Sequence, residues 1–217
     1  MASKRPYHHG DLKPALLRAA IELIAEVGPA AFTLREVARR AGISHNAPYR
    51  HFRDKDDLLA AVATEGFERL AKALAQARPG SAIPAAKGRA GLSRLQMSGV
   101  AYVKFALRFP EHLLVMFDWP LARNRYPALA TAGSHAFSIL VGLVREAQQE
   151  GSLPPGDPIL QARIAWSMVH GVSKLAIGGR LPLASDGEVV RFAAQAIDAL
   201  HKGMANWRGH PGESTLL

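Results

Sequence analysis

"TLREVARRAGISHNAPYRHF", residues 33–52, sets two short apolar-periodic stretches around one glycine and then gathers histidine, asparagine, proline, tyrosine and arginine. Thr33 and Glu36 form the T-x-x-E pattern of a capping box, in which each side chain reaches the other residue's backbone N–H. Leu34, Val37, Ala38 and Ala41 follow at i, i+3, i+4 and i+7, the stripe of a short helix that buries one face and stops at Gly42. Ser44 is placed to cap a further helix of about two turns. With Leu34, Val37, Ala38 and Ile43 turned inward, His45, Asn46, Tyr49 and Arg50 point away from the core. A helix that short is held by packing, not by its own propensity. Two helices joined by a glycine-containing turn of about three or four residues describe a helix-turn-helix, whose second helix enters the major groove of DNA. The same pattern also describes an αα-corner with a solvated polar face.

Outward from this stretch the periodicity stays helical. Upstream, Leu17, Ala20, Ile21, Ile24 and Val27 predict a helix over 12–27, with Asp11 as N-cap, Pro14 in the first turn and Gly28 as the stop. Downstream, Asp54 with Asp57 caps a helix carrying Leu58, Leu59, Val62, Phe67 and Leu70 to about residue 77. The stretch "ARPGSAIPAAKGRAG", residues 77–91, reads as a loop. Helical patterns then cover roughly 91–109, 111–118, 127–150, 158–177 and 186–206, punctuated by Pro110, Trp119-Pro120, Pro154-Pro155 and Pro182. Asp157-Pro158 and Ser185-x-x-Glu188 look like N-terminal caps. With no strand alternation and no internal repeat, the fold class is all-α with about nine helices. The final "RGHPGESTLL" reads as a loose tail.

Composition bounds the chemistry. The 217 residues contain no cysteine, which removes disulfides, thiolate catalysis and cysteine-ligated zinc. No apolar run approaches the roughly 20 residues of a membrane span, and the N-terminus "MASKRPYHHGD" lacks the apolar stretch of a secretory signal, so a cytoplasmic protein with no membrane partner is expected. The formal charge of +9 favours a polyanionic partner, although a merely soluble basic surface has the same composition. Lys87, Arg89, Arg94, Lys104 and Arg108 carry basic charge beyond the helix-turn-helix. An enzyme would need a nucleophile or metal cluster at workable spacing, and the nine histidines supply neither, so no catalytic residue, cofactor or metal is expected. His8 and His9 have no third ligand at suitable spacing and read as a basic arm of the kind that reaches into a minor groove. Three function classes remain in competition: a ligand-responsive DNA-binding regulator, a basic helical protein binding nucleic acid without sequence preference, and, furthest behind, a helical enzyme.

Residues 10–70 resemble the N-terminal DNA-binding domain of the tetracycline-repressor (TetR) family of bacterial regulators. The residues that carry the resemblance are Thr33, Val37, Ala38, Ala41, Gly42, Ile43, Ser44, Tyr49, His51, Phe52, Lys55, Leu58 and Leu59. It implies a helix-turn-helix DNA-binding domain over 1–55, joined by the helix over 55–77 to a ligand-binding and dimerisation domain over 56–208, with 209–217 as a flexible tail. It also implies the partners: a double-stranded, quasi-palindromic DNA operator, a small-molecule inducer and a second copy of the chain, with repression as the output. Thr33, Tyr49, His51 and Lys55 match phosphate-contacting positions. His45, Asn46 and Ala47 match positions that reach base edges, and Asn46 has both the donor and the acceptor that an adenine edge requires. Ser44 and Arg50 complete the DNA-facing set, and Phe52 matches a buried aromatic. Pro48 departs from the aliphatic residue usual before the tyrosine; it removes a backbone donor, so the recognition helix starts later or is tighter.

The stretch "AWSMVHGVSKL", residues 165–175, resembles the W-x-x-x-H-G signature of one C-terminal subclass of that family, through Trp166, His170 and Gly171. Spacing of i, i+4 puts both rings on one helical face, as pocket lining or as a buried ring pair. Tyr102, Phe105, Phe109, His112, Met116, Phe117, Trp119 and Phe137 offer a large apolar surface with a few polar handles. Together with Trp166 and His170 they form the candidate lining for a mainly apolar or aromatic inducer, although the same spacing suits a core. The last two helices carry apolar stripes, Leu160, Ile164, Met168, Val172 and Leu175 on one, and Val189, Phe192, Ala193, Ala196, Ile197 and Leu200 on the other. Two such helices from each of two chains would make the four-helix interface through which family members dimerise; one chain could also bury both stripes internally.

Overall fold

The computed structural model describes residues 12–77 and 93–206. The arm with His8 and His9, the Asp11 cap, Lys87 and Arg89 in the loop, and the tail over 209–217 lie outside the described residues. Among the described residues every regular element is helical: α1 (Leu12–Val27), α2 (Leu34–Arg40), α3 (Lys55–Ala75), α4 (Arg94–Arg108), α5 (Pro110–Phe117), α6 (Pro127–Gln149), α7 (Pro158–Ile177) and α8 (Asp186–Ala205). Two short 3-10 turns, Pro48–Arg50 and Arg123–Arg125, accompany them. The helix expected after Ser44 is therefore a single 3-10 turn, and the described residues hold eight α-helices.

The described residues divide into two compact units, one running through Glu68 and including Phe109–Gly133, the other comprising Arg69–Arg108 and the chain from Ser134. That division differs from a boundary at residue 55: α3 belongs to the first unit through Glu68, and α5 joins it there.

In the first unit, α1 buries Leu16, Ala19, Ala20, Leu23 and Ile24. Leu17 and Ile21 are only partly buried and Val27 is 51% exposed, so the buried face is turned from the expected one. Apolar residues at 16 and 17 give the helix two overlapping stripes, and packing selects the one through Leu16 and Leu23. Gly28, at φ +80°, ends the helix with a conformation that glycine adopts without steric cost. In α3, Leu58, Leu59 and Val62 have no exposure at all. Further along the same helix a Cβ on Gly66 would stand 2.5 Å from Met116 Sδ, so the bare backbone of α3 at that point receives the Met116 side chain of α5. Phe67 meets Phe117 edge-on, with ring centroids 5.5 Å apart.

Both ends of α2 follow from the sequence. Thr33 Oγ1 accepts from Glu36 N–H at 3.3 Å, while Glu36 Oε2 accepts from Thr33 N–H at 2.7 Å, which completes the reciprocal capping box. At the other end Gly42 N–H donates to Arg39 O at 3.2 Å and Ile43 N–H to Ala38 O at 3.0 Å. With Gly42 at φ +70°, this is a Schellman closure. Arg40 leaves α2 sideways and donates to Glu26 of α1 at 2.7 Å, and to Glu22 at 3.4 Å. The guanidinium's hydrogen bonds hold the Glu26 carboxyl below its ordinary pKa.

In the second unit α4 lies against α7 and α8. A Cβ on Gly99 of α4 would stand 2.9 Å from Ile197 Cδ1 and 3.3 Å from Val169, so glycine sets how closely these helices approach. Leu95, Val141, Leu143, Val144, Ala147, Leu153, Ala162 and Met204 form the buried cluster of this unit. Asp157 and Ser185 cap α7 and α8 through the N–H groups of Ile159 and Glu188. One helix exceeds what the sequence reading allowed: the 23 residues of α6 include an 18-residue window of mean hydropathy 1.5, long and apolar enough by length and composition to cross a membrane, and a third of that window is buried within the protein.

The two ends of α2 give a stability test. Thr33→Ala removes the side-chain acceptor of the box and is expected to lower the unfolding free energy by about 0.5–2 kcal/mol. Gly42→Ala forces a Cβ into the left-handed region and is expected to cost about 1–2 kcal/mol, although the position has open space. Urea denaturation monitored by circular dichroism measures both, and a neutral Gly42→Ala would remove the argument from backbone conformation.

Candidate nucleic-acid interface

From Ile43 the chain is committed to leaving the core, and Pro48 decides what it does next. Proline has no N–H, so the α-helical bond from residue 48 to the Ser44 carbonyl cannot form. Ala47 N–H takes that carbonyl instead at 3.0 Å, Arg50 N–H donates to Ala47 O at 3.2 Å and His51 N–H to Pro48 O at 2.9 Å. These i→i+3 bonds wind the segment as a 3-10 turn. The Pro48 ring is fully buried and anchors it from beneath.

The tight winding leaves the polar residues outside. Ser44, His45, Asn46, Arg50 and His51 are exposed, Tyr49 is 52% exposed, and Ala47 is partly buried. Phe52 is buried at 3% exposure, as its core role requires. Arg35 and Arg39 are exposed on α2, so cations stand there as well as on the turn. The site thus has hydroxyl, imidazole, amide, phenol and guanidinium groups on one outward segment rooted in a rigid base. Thr33 is exposed, but its hydroxyl also donates to Glu36 Oε2 at 3.0 Å.

Lys55, the last residue of the expected DNA-facing set, stands apart. It is partly buried at the start of α3, and its Nζ donates to Ala30 O at 2.9 Å. The ammonium lies 5.5 Å from the centroid of Phe32 and 5.3 Å from that of Trp119. Sequence reasoning could not find Trp119 here, because the contact joins residues 64 positions apart.

The ten residues expected to line a ligand pocket are distributed over both units. Phe109, His112, Met116, Phe117 and Trp119 belong to the first unit, where His112 and Met116 are buried in its core. His112 Nε2 is 3.9 Å from Glu65 Oε1 and its ring meets Phe109 edge-on. Tyr102, Phe105, Phe137, Trp166 and His170 belong to the second. There the Tyr102 hydroxyl and His170 Nδ1 are 2.8 Å apart, Trp166 packs on His170 and Phe137 on Trp166. Burial pushes the Tyr102 phenol well above its ordinary pKa. A cavity of about 50 Å³ opens beside this ring chain, lined by Tyr102 and Trp166 and also by Gln96, Gly99, Leu140, Met168, Val169, Ile197 and His201. His201 there is held below the ordinary histidine pKa by burial. Of this wall Gly99 had a signal in the sequence, a glycine inside an apolar helical stripe. A larger hollow of about 500 Å³ in the first unit has a mixed lining that includes Lys13, His51, Arg53, Asp57, Glu65 and Arg125.

The stripes expected to form a subunit interface also separate by burial. Val172, Val189, Ala193 and Ile197 are buried within the chain, while Ile164, Met168 and Leu200 are partly buried. Leu160, Leu175 and Phe192 remain exposed at 44%, 47% and 39%. Among the described residues no group of three or more histidine or acidic side chains is placed to hold a metal ion.

Residues 16–62 match the bacterial regulatory proteins of the tetR family, and residues 95–200 match the tetracyclin repressor-like C-terminal domain. An HTH-type transcriptional repressor of Mycobacterium tuberculosis is 35% identical over 110 residues, which is 50% of this chain and 58% of the relative. The match thus spans less than two thirds of the relative's length. The structure of a protein with unknown function from Rhodococcus sp. RHA1 is 38% identical, with a TM-score of 0.74 over 93% of this chain and 100% of that one. A bacterial regulatory protein in the tetR family from Rhodococcus RHA1 shares the fold at 22% identity, with a TM-score of 0.69 over 89% of this chain and 96% of its own. The N-terminal match contains the Schellman-closed α2 and the outward 3-10 turn, and the C-terminal match covers α4 to α7 and most of α8: the chain belongs to the tetR family of bacterial regulatory proteins.

Proposed function

We propose that the protein is a transcriptional repressor that binds a quasi-palindromic DNA operator as a homodimer and is released by a small, mainly apolar or aromatic molecule. The observation that carries this reading is the outward segment Ser44–His51, whose polar and cationic side chains are exposed while Pro48 and Phe52 are sunk in the core. Family membership and the repressor named among the relatives support the direction of the output. In this reading Tyr49, Arg50, His51 and the Thr33 end of α2 meet phosphates, and His45, Asn46 and Ala47 meet base edges. Trp166, His170 and Gly171 are assigned to the W-x-x-x-H-G subclass, with Tyr102 as the hydrogen-bond partner that fixes the histidine ring. Protection of a short symmetric site on the DNA beside its own gene tests the whole reading, since a protein without sequence preference leaves no bounded footprint.

Phosphate and base contacts respond differently to substitution. Arg50→Ala is expected to weaken binding to all duplexes alike and to reduce the slope of log affinity against log salt by about 0.9. Asn46→Ala is expected to cost about 1–3 kcal/mol on the preferred site, to relax preference at one base position per half-site and to leave random DNA binding nearly unchanged. Equal losses on both DNAs would remove Asn46 as a reader.

For the dimer, the exposed residues Leu160 and Phe192 are the better probes, since Ile197 and Ala193 serve the chain's own core. Leu160→Glu and Phe192→Glu are expected to give monomers of unchanged helical content with lost operator affinity, because a charge buried in an apolar interface without a partner is costly. Sedimentation of an intact dimer in both variants would move the interface elsewhere.

The inducer site is the cavity beside Tyr102 and Trp166. At about 50 Å³ it is well below the ~300 Å³ of a typical ligand pocket, so the ligand is small or selects a wider conformation. A ligand that binds the two conformations unequally is expected to lower operator affinity roughly 5- to 150-fold, and operator DNA must weaken ligand binding by the same factor. Leu140→Trp, which fills the cavity, is expected to abolish the response while operator binding persists. A ligand found by thermal-shift screening that leaves operator affinity unchanged would sink the inducer model.

A further inference from the structure

A ligand held in the cavity beside Tyr102 has to be matched by what the cavity wall offers. Among the described residues that line it there is no lysine, arginine, aspartate or glutamate. A charged ligand would therefore give up its water without meeting a counter-ion, which is costly. The polar groups of the wall are few, and most already have partners. The Ser98 hydroxyl donates to Leu95 O at 2.7 Å, and Gln96 Oε1 accepts from Ser93 N–H at 2.8 Å. The Tyr102 hydroxyl stands 2.8 Å from His170 Nδ1 and also accepts from the indole N–H of Trp166. His201 of α8 differs: its partly buried ring lines the same cavity and forms no hydrogen bond among the described residues. Asp198, on the same helix, accepts from Lys202 Nζ at 2.7 Å. Burial holds the His201 imidazole below its ordinary pKa against the opposing pull of the Asp198 carboxylate, so near neutral pH the ring is uncharged, with one donor and one acceptor.

We propose that this cavity takes a small uncharged aromatic molecule with a single hydroxyl, and that His201 is the specificity-determining residue that pairs with that hydroxyl. The aromatic character follows from the wall. The rings of Tyr102 and Trp166 and the sulfurs of Met168 and Met204 are surfaces that favour a ring over an alkyl chain. Size sets the second condition. A benzene ring needs a cavity of about 150 Å³, whereas this one holds about 50 Å³. Met168 and Met204 are the side chains able to make up the difference, since an unbranched thioether chain changes shape without moving its helix. This inference rests on the reading of the cavity as the inducer site for its consequence on DNA, and not for the class of ligand.

The test uses p-cresol, toluene and p-toluate, which share a methylated ring and differ in carrying a hydroxyl, no polar group or a carboxylate. Isothermal titration calorimetry of the full chain at neutral pH is expected to show p-cresol bound about tenfold more tightly than toluene. Binding of p-toluate is expected to be weaker than that of p-cresol by about a hundredfold or more. His201→Leu is expected to bring p-cresol down to the affinity of toluene, and His201→Gln, which retains a donor and an acceptor, to keep most of the preference. In the wild-type protein the His201 ring nitrogen resonances are expected to shift more with p-cresol than with toluene, a reading that needs no variant. Met204→Val, stiff at its first torsion, is expected to weaken p-cresol and toluene alike by about tenfold. Leu140→Trp is expected to remove the binding of both. Equal affinities for p-cresol and toluene, a preference that survives His201→Leu, tighter binding of p-toluate, binding that survives Leu140→Trp, or no saturation by p-cresol would each overturn the proposal. If p-cresol binds with the expected preferences yet leaves operator affinity unchanged, the inducer role fails while the class of ligand stands.

Discussion

One backbone hydrogen bond, from Ile43 N–H to the Ala38 carbonyl, governs the shape of the outward turn that follows α2. It closes α2 only if residue 42 takes a left-handed conformation, which Gly42 does at φ +70°. That single reversal turns Ile43 back toward the core while sending Ser44 and its successors outward. The capping box fixes the other end of the same helix, so seven residues, too few to be stable as an isolated helix, become a platform held at both ends. Arg40 reaches from the platform to Glu22 and Glu26, and this locks the rotation of α2 against α1.

Winding after the platform is a matter of counting donors. An α-helix through residues 44–52 would need an N–H at Pro48, and there is none. The chain answers with i→i+3 bonds, which are poorer individually but engage the carbonyls of Ser44, Ala47 and Pro48. A short 3-10 turn presents fewer side chains on one face than two α-helical turns would. What this segment can offer a partner is therefore set by the few residues that the turn exposes and by how firmly their base is held.

Much of this was legible in the sequence, because capping boxes, glycine stops and 3.6-residue periodicity act over a few residues and leave local marks. Seven of the eight α-helices among the described residues have both ends within about two residues of their predicted positions for that reason. Pro48 was readable as a missing donor, although not as the loss of the entire α-helix. Three features left no local mark. The choice between the overlapping stripes of α1 depends on partners distant in sequence. The aromatic residues from 102 to 137 look like one set along the chain, yet α5 belongs to the first unit and α4 to the second. The inward turn of Val189, Ala193 and Ile197 depends on Gly99 of α4 letting α8 approach, which periodicity along α8 could not disclose.

The contact of Gly66 with Met116 ties two positions together. With a Cβ at residue 66 reaching to 2.5 Å from the sulfur, residue 66 can grow only if the Met116 side chain shifts. Methionine is the residue best able to fill a gap of this kind, because its unbranched, polarisable chain adjusts without a fixed shape. A methyl group at 66 is thus admitted by a swing of the Met116 sulfur, whereas a β-branched residue at 116, stiff at its first torsion, would leave position 66 confined to glycine.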